Sequence, residues 1–390
     1  MILLDGPHVS DFLLDTLARN GFPVIDTPYA LSACRSRPLS LVPEADAVRR
    51  LATNPGERLY TPSENALAWV GRHLRGTRWP GQIALFKNKA RFRELLRPLY
   101  PDFRFRTVEA ETLLRMPAAG LALPCVVKPT TGFFSLGVRP VFTGEDFLEM
   151  QRGLRSDLER IFPPAPEGAF HERSFLIEDY IPGDEYAVDA YFDERGRPVV
   201  LGIFRHLFAS GSDVSDRVYT TSAGVVGPNL EPVTGILGQI GRLAGVRQFP
   251  LHAEFRRRQD GTLVPVEVNP LRFGGWCTTP DLARYAWGLN VYEQFLCGQR
   301  PDWPALLSGK GDTASSLVVL ENSTGIDGAD IRAFDYDAVL GLFSKPLELT
   351  RIDFRSHPLF GFLFVETDRG GTGELERILR DDLRSYIEVA

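Results

Sequence analysis

The sequence predicts an α/β or α+β protein made of two or three folding units. The chain has 390 residues, of which 44% are hydrophobic, and this is enough to bury a large core. Its first residues follow a strand–helix–strand pattern, and strand-like runs recur between residues 125 and 269. We therefore expect an N-terminal α/β domain over residues 1–84, a central region over residues 85–300 and a small C-terminal α+β segment over residues 301–390.

The first segment opens like an α/β sandwich. We predict a strand over residues 2–5, a helix over residues 10–19 that Ser10 caps, and a second strand over residues 22–25. No G-x-G-x-x-G follows the first strand, so nothing indicates a dinucleotide site. A helix over residues 63–74 and the glycine- and proline-containing stretch 76–81 precede the central region.

The central region is predicted to begin with one helix that carries both Lys87 and Lys89. A glycine-bearing loop over residues 130–137 and a polar loop over residues 209–221 follow. The predicted strands cover residues 125–128, 175–180, 185–192 and 199–204, and a hairpin covers residues 251–269.

Composition excludes several classes of protein. The net charge of −6 and the pI near 5.7 argue against nucleic acid as a partner, because binding to its backbone needs a cationic surface. No apolar run reaches the length of a membrane span, and the first residues lack the basic region of a signal peptide. The four cysteines have no metal-type spacing, so we expect a reduced, cytoplasmic protein. The sequence leaves open whether the chain forms a homodimer.

Lysine is scarce in this chain. Only five of the 44 basic residues are lysines, namely Lys87, Lys89, Lys128, Lys310 and Lys345. Arginine occupies most positions where either cation is suitable. A remaining lysine therefore indicates a position that favours a compact ammonium group.

The most informative segment is the predicted hairpin over residues 251–269. Asp260-Gly261 lies between two alternating runs and is typical of a two-residue hairpin turn. The resulting register places Glu254 opposite Glu267 and His252 opposite Asn269. The apolar residues on the other face, which we expect to be buried, are Ala253, Phe255, Val264, Val266 and Val268.

Two opposed carboxylates would repel each other, because directly paired residues lie only about 4.5–5.5 Å apart at Cβ. A divalent cation between Glu254 and Glu267 would turn this repulsion into attraction. Oxygen ligands from these carboxylates and from Asn269 suit Mg²⁺, which keeps its remaining positions for water and phosphate. The alternative is a hairpin whose polar face is only solvated.

Four segments, taken in chain order, resemble the ATP-grasp superfamily. Lys89 resembles its upstream nucleotide-binding lysine, and residues 124–137 resemble its first phosphate-binding strand and glycine-containing loop. Residues 175–186 resemble its adenine hinge, and the two hairpin strands resemble its paired magnesium-binding strands. The resemblance covers residues 85–298 and is to the carboxylate–amine ligase type, which includes the L-amino acid ligases and D-alanine–D-alanine ligase. It implies the ATP-grasp fold.

The resemblance implies a role for each matching residue. The residues that would bind ATP are Lys89, Lys128, Ser135, Gly137, Glu178, Asp179, Tyr180, Ile181 and Glu185, the last through the ribose hydroxyls. Glu254, Glu267 and Asn269 would hold Mg²⁺, with Mn²⁺ as the other suitable ion. Arg272 would stabilise the oxyanion. His252, Trp276 and Arg205 would shape the substrate site.

The sequence departs from the family pattern at two of these positions. Many relatives place an arginine two residues after the metal-binding asparagine, whereas here Leu271 holds that position and Arg272 follows it. His252 stands where amide-forming relatives often have arginine.

The implied reaction joins a small-molecule carboxylate to a small-molecule amine. In the family, ATP phosphorylates the carboxylate, and the amine attacks the resulting acyl phosphate. Two other functions remain open. One is a different ATP-grasp enzyme of nucleotide or cofactor metabolism, and the other is a regulatory protein that binds ATP without catalysis.

Overall fold

A computed structural model of the chain describes residues 1–132, 136–162, 172–210, 213, 215–311, 313–368 and 372–389. It divides into two compact units, each made of several chain segments. The first unit contains Met1–Gly183, Asp189–Val199 and Val233–Cys277, and the second contains Asp184–Val188, Val200–Pro232 and Thr278–Ala390. Among the described residues, no helix combines the length and the apolar composition that crossing a membrane requires.

The helices and strands are numbered along the chain. The α-helices are α1 (Asp11–Asn20), α2 (Pro28–Ala33), α3 (Glu44–Thr53), α4 (Leu67–His73), α5 (Arg78–Lys87), α6 (Lys89–Leu96), α7 (Ala110–Leu113), α8 (Gly144–Ile161), α9 (Ala223–Ala244), α10 (Thr278–Trp287), α11 (Val291–Cys297), α12 (Trp303–Leu307), α13 (Tyr336–Leu340) and α14 (Thr372–Arg380). Short 3₁₀ helices cover Glu64–Ala66, Gly275–Cys277, Gly328–Asp330 and Arg384–Tyr386. The strands are β1 (Pro23–Ile25), β2 (Ser40–Val42), β3 (Phe105–Glu109), β4 (Cys125–Pro129), β5 (Arg139–Val141), β6 (Ser174–Asp179), β7 (Asp184–Phe192), β8 (Pro198–Leu207), β9 (Val218–Thr221), β10 (Phe249–Arg257), β11 (Leu263–Pro270), β12 (Ala314–Glu321), β13 (Ile331–Phe334), β14 (Pro346–Arg351), β15 (Leu359–Thr367) and β16 (Ile387–Val389).

Helix α1 and strand β1 follow the sequence prediction. Ser10 caps helix α1 by accepting a hydrogen bond from Leu13 N, and Gly21 ends the helix with a φ of 63°. Strand β1 pairs in parallel with β2, and Ile2 forms single bridges to Val24 and Tyr60. The predicted strand over residues 2–5 is thus reduced to one bridging residue.

The predicted single helix around the two lysines is wrong. Helix α5 ends at Lys87 and α6 begins at Lys89, because Asn88 adopts an extended conformation and caps α6. The Asn88 side chain accepts hydrogen bonds from the amides of Ala90 and Arg91. The predicted boundary between residues 84 and 85 falls inside α5, and the division into three consecutive segments stays a prediction.

An antiparallel sheet in the first unit has the order β3-β6-β4-β5. Alternate residues of β4 and β6 face a core that helix α8 covers. The core residues include Cys125, Val127, Phe175 and Ile177 from the sheet and Phe147, Met150, Leu154 and Leu158 from the helix. Lys128 pairs with Leu176 in the register, so Lys128 and Glu178 lie diagonally on the opposite face.

Strands β10 and β11 form the predicted hairpin, but its turn differs from the prediction. Arg258 N donates to Thr262 O and Gly261 N donates to Arg258 O, both at 2.9 Å, so the loop has three residues rather than two. Gly261 takes the left-handed conformation that such a loop needs, with a φ of 84°. A bulge between Glu254 and Phe255 then restores the predicted register at the base of the hairpin.

The second unit contains antiparallel strands in the order β8-β9-β12-β15-β14. Helix α14 packs on this unit through Leu375 and Ile378, which share a core with Phe360, Leu363 and other buried residues. Strands β13 and β16 form a separate antiparallel pair. The described part of residues 301–390 is therefore a mixture of helices and strands, as predicted.

Candidate active site

The predicted metal-binding residues lie together at the base of the β10–β11 hairpin. Glu254 pairs with Glu267 and His252 pairs with Asn269, which is the register predicted from the sequence. The side chains of Glu254 and Glu267 are 25% and 19% exposed, and Asn269 is buried. Val266, predicted on the buried face, is only half-buried, because the bulge makes it the extra residue of β11.

Three lysines surround Glu267. Lys89 Nζ lies 2.9 Å from Glu267 Oε2, and both Lys87 and Lys128 also act on this carboxylate. Burial by itself raises the pKa of Glu267, but the three ammonium charges outweigh burial and lower that pKa. The three lysines are themselves buried. Three of the five lysines that scarcity singled out thus lie around one carboxylate.

Lys128 is held by a buried ion triad. Its Nζ lies 2.7 Å from Glu178 Oε1 and 3.3 Å from Val266 O. Arg93 binds Glu178 through two hydrogen bonds of 2.6 and 3.0 Å. Burial raises the pKa of Glu178, yet the charges of Arg93 and Lys128 outweigh it and bring the pKa to about 2. The side chain of Glu178, predicted to bind ATP, therefore holds the phosphate-binding candidate Lys128.

A second triad joins Glu64, Lys87 and Arg272. Arg272 Nη2 donates to Glu64 Oε1 at 2.7 Å, and Lys87 Nζ donates to Glu64 Oε2. Lys87 also donates to the carbonyl of Gly132 at 2.8 Å, just after strand β4. Burial raises the pKa of Glu64, but the two cations outweigh it and bring the pKa to about 2. Glu64 is thus an anion between two site cations.

The backbone at Leu271 directs the following residue, Arg272, toward Glu64. Leu271 is fully buried and has a φ of 63°, an uncommon conformation for a residue with a Cβ. Its amide donates to Pro250 O and its carbonyl accepts from Thr61 N, both at 2.9 Å. This turn buries the leucine and lets the next residue, Arg272, reach Glu64.

His252 is oriented by a fully buried aspartate. Its Nδ1 donates to Asp189 Oδ1 at 2.7 Å, and the amide of Gly274 donates to the same oxygen at 3.0 Å. Nε2 of His252 lies 3.9 Å from Glu254 Oε1. Asp189 therefore connects His252 to the segment that follows Arg272.

Trp276 lies beside the first loop of the chain. Its ring stacks on His8 with centroids 6.1 Å apart and planes inclined by 20°. Trp276 and Cys277 both have a positive φ, of 56° and 63°. In proteins, residues other than glycine that adopt such strained backbone conformations cluster at functional sites. The substrate-binding role of Trp276 stays a prediction.

The predicted adenine hinge follows strand β6. The Asp179 carboxylate accepts from the backbone amide and the guanidinium of Arg104, and the Asp179 amide donates to Arg104 O at 3.0 Å. Tyr180 N donates to Pro124 O at 3.2 Å, and the Ile181 carbonyl accepts from Arg256 at 3.1 Å. These bonds fix the hinge to its neighbours, and adenine binding there stays a prediction.

Two predicted site residues, Glu185 and Arg205, lie in the second unit. His206 Nδ1 lies 3.0 Å from Glu185 Oε1, and its Nε2 lies 2.9 Å from Ser215 O. Burial lowers the pKa of His206, but its bond to Glu185 outweighs burial and raises it. Arg205 forms a half-exposed ion pair with Asp184 at 3.0 Å.

The glycine-bearing loop is described only in part. Ser135, predicted to bind ATP, lies outside the described residues. Gly137 has a φ of 77°, and a Cβ there would meet Ile161 at 3.0 Å and Pro129 at 3.1 Å. Glycine is therefore required at residue 137 for packing as well as for backbone conformation.

The donor set at the hairpin base fits a hard divalent cation. The two opposed carboxylates and the Asn269 amide are oxygen ligands of the kind that Mg²⁺ and Mn²⁺ accept. Within the described ranges, the hairpin included, no group of three or more His, Cys, Asp or Glu side chains is placed to hold a metal. The hairpin offers only two carboxylates, so water or phosphate would have to complete the coordination.

Sequence reasoning missed three residues of this site: Glu64, Arg93 and Asp189. Arg93 follows Lys89 by four residues in α6, so helical spacing could have placed both on one face. Asp189 lies inside a predicted strand. No pattern marked Glu64, because its two partners lie 23 and 208 residues away.

The chain is similar to known proteins in sequence and in fold. Residues 121–280 match the family described as ATP-grasp domain. The protein y4rH of Sinorhizobium fredii (strain NBRC 101917 / NGR234), described as uncharacterized, is 25% identical over 279 residues, which are 69% of this chain and 55% of that protein. The chain thus spans about half the length of this curated relative.

Solved structures share the fold at lower sequence identity. The L-amino acid ligase from Bacillus licheniformis matches with a TM-score of 0.69 and 18% identity, over 100% of this chain and 98% of that one. N5-carboxyaminoimidazole synthase from Aspergillus clavatus matches with a TM-score of 0.63 and 14% identity, over 98% of both chains. Residues 121–280 therefore match the ATP-grasp domain family, and the chain as a whole shares its fold with these two enzymes.

Proposed function

We propose that the protein is an ATP- and Mg²⁺-dependent carboxylate–amine ligase. The observation that carries this proposal is the charge arrangement in the first unit. Glu254 and Glu267 are opposed on one face of a hairpin, and three buried lysines act on Glu267. Such an arrangement suits a complex of a metal ion with a triphosphate. The carboxylates can neutralise the metal ion, and the lysines can neutralise the phosphates.

The proposed reaction has two steps. A carboxylate oxygen of the first substrate attacks the γ-phosphorus of ATP, and the bond from that phosphorus to the bridging oxygen of ADP breaks. The amine nitrogen of the second substrate then attacks the acyl carbon, releases inorganic phosphate and loses a proton. The products are an amide, ADP and phosphate.

The protein contributes position and charge rather than covalent chemistry. Lys128 has three donors, and two of them face Glu178 and Val266, so one remains for a phosphate oxygen. Arg272 would bind the oxyanion of the acyl group. Glu254, Glu267 and Asn269 would hold Mg²⁺, which when bound neutralises phosphate charge. Glu185 would accept hydrogen bonds from the ribose.

The fold match to an L-amino acid ligase supports amino acids as the first substrates to try. Incubation with ATP, Mg²⁺, hydroxylamine and a panel of amino acids should give a hydroxamate with the correct acid. A hydroxamate would report the acyl phosphate and identify the donor. ADP release that needs bicarbonate instead would favour a carboxylating enzyme, and ATP binding without ADP release would favour a regulatory protein.

Glu267→Gln should abolish hydroxamate formation, because it removes one of two anionic metal ligands. Circular dichroism should show an unchanged fold. Glu94→Gln, which alters an exposed ion pair with Arg97 on α6, is the matched control and should retain full activity. Activity that survives Glu267→Gln would rule out the proposed metal site.

A further inference from the structure

Glu64 is a buried carboxylate outside every motif of the sequence. It opens the 3₁₀ helix Glu64–Ala66, and its side chain is only 15% exposed. Its two oxygens accept from two different cations, Arg272 and Lys87. One carboxylate therefore connects three separate parts of the first unit.

Backbone contacts hold Glu64 at this position. Thr61 N donates to Leu271 O, which ties the Glu64 segment to the residue before Arg272. The hydroxyl of Thr61 donates to Ser63 O at 3.0 Å, and Ser63 caps the short helix. The backbone segment that leads into Glu64 is thus held independently of the two cations.

Both cations also interact electrostatically with carboxylates other than Glu64. Arg272 is attracted by Glu254 and Glu267 as well as by Glu64, and Lys87 is attracted by Glu267. Lys89 already forms an ion pair with Glu267 at 2.9 Å. If Glu64 lost its charge, the hairpin carboxylates would become the strongest attraction for both cations.

We propose that Glu64 is a positioning residue for the metal-binding carboxylates. It retains Arg272 and Lys87, and so leaves Glu254 and Glu267 available to Mg²⁺. It also fixes the guanidinium of Arg272, whose Nε is buried without a hydrogen-bond partner in the described part of the chain and can serve a substrate oxygen. The inference rests on the proposed function, since it requires that the hairpin carboxylates hold a metal.

The test measures how ADP binding depends on Mg²⁺, by titration calorimetry, and needs no turnover. Glu64→Gln should raise the Mg²⁺ concentration for half-maximal ADP binding by about tenfold, because two cations then compete with the metal. Glu94→Gln should leave it unchanged. Once the acid substrate is known, kcat for the hydroxamate should fall by about a hundredfold in Glu64→Gln.

A second variant separates positioning from a general loss of structure. Adding Arg272→Met to Glu64→Gln removes one competing cation, so the Mg²⁺ requirement should return toward the wild-type value although kcat stays low. Glu64→Asp keeps the charge and should raise the requirement less than Glu64→Gln does. It gives the same comparison if Glu64→Gln does not fold.

The outcomes are distinguishable. A wild-type protein that binds no ADP at any Mg²⁺ concentration would overturn the proposed function and this inference with it. Wild-type binding that needs Mg²⁺, together with an unchanged Mg²⁺ requirement in Glu64→Gln, would overturn the role of Glu64 alone. A lower melting temperature with no change in Mg²⁺ requirement would likewise identify Glu64 as merely structural.

Discussion

At the scale of single residues, a buried carboxylate holds two buried cations in the first unit. Glu178 accepts from both Arg93 and Lys128, and its side chain is only 2% exposed. Glu178→Gln would leave two buried cations without their anion, which costs about 3–5 kcal/mol of unfolding free energy. Urea denaturation followed by circular dichroism measures this loss.

The exposed pair between Glu94 and Arg97 gives the control, and Glu94→Gln should leave the denaturation midpoint unchanged.

Acid denaturation provides an independent check of the Glu178 triad. The pKa of Glu178 is lowered from 4.5 to about 2, so its stabilisation is present above pH 4.5 and is lost as the pH falls toward 2. Glu178→Gln should therefore lose less stability between pH 5 and pH 3 than the wild type. Equal losses would contradict the ion triad.

Individual residues were predictable where their type is rare or their spacing is regular. Lysine scarcity singled out five positions, and the structure places three of them, Lys87, Lys89 and Lys128, around Glu267. Glu64 could not be found in this way, because glutamate is common and its partners are distant in sequence. A charge whose partners come from tertiary structure leaves no local pattern.

At the scale of elements, Gly183 and Gly153 differ in whether their position can accept a Cβ. Gly183 follows the hinge with a φ of 119°, and a Cβ there would lie 1.9 Å from Arg257 O. Gly183→Ala should destabilise the protein by more than about 1 kcal/mol. Gly153 lies inside α8 with no atom near its missing Cβ. Gly153→Ala should stabilise it by about 0.5–1 kcal/mol.

Chemical denaturation of both variants gives the comparison. Opposite signs are expected, since the two substitutions add the same methyl group and differ only in backbone conformation and space. Destabilisation of equal size by both would mean that the close approach of Gly183 to Arg257 does not matter for folding.

Elements were predicted well where apolar and polar residues alternate. The hairpin register at Glu254 and Glu267 is correct, because a shift by one residue would bury the acids. The predicted two-residue turn is wrong. The third loop residue shifts the register by one, and the bulge shifts it back by one, so the register at the base is the same as for a two-residue turn without a bulge. The break at Asn88 was missed, because helical spacing continues across it.

At the scale of the whole molecule, nucleotide binding should stabilise the fold. A ligand at 100 times its dissociation constant adds about 2.7 kcal/mol of unfolding free energy when it binds only the folded state. Mg²⁺ with ADP should therefore shift thermal unfolding upward. Lys128→Met should remove most of this shift, because it deletes the buried donor that we propose binds phosphate.

Lys345→Met is the matched control for this experiment. Lys345 is an exposed lysine of the second unit that pairs with Glu366, and it is not one of the predicted site residues. Its loss should leave the ADP-dependent shift intact. A full shift in Lys128→Met would mean that Lys128 does not contact the nucleotide.

The fold class of the molecule was predictable from element patterns and motif order, and the match to ATP-grasp structures confirms it. The compact units were not predictable, since each is assembled from segments that are far apart in the chain. Strands β7 and β8 and helix α9 each contribute residues to both units.

The bulge at Val266 has an evolutionary consequence. It separates the hairpin into a tip and a base, whose strands pair in two registers that differ by one residue. Insertions or deletions within the tip loop can be absorbed there without rotating the side chains of Glu254 and Glu267. Deleting Val266 itself would remove the extra residue that allows the two registers to coexist. Changes in length should therefore be tolerated in the loop at residues 259–261 and selected against at the bulge.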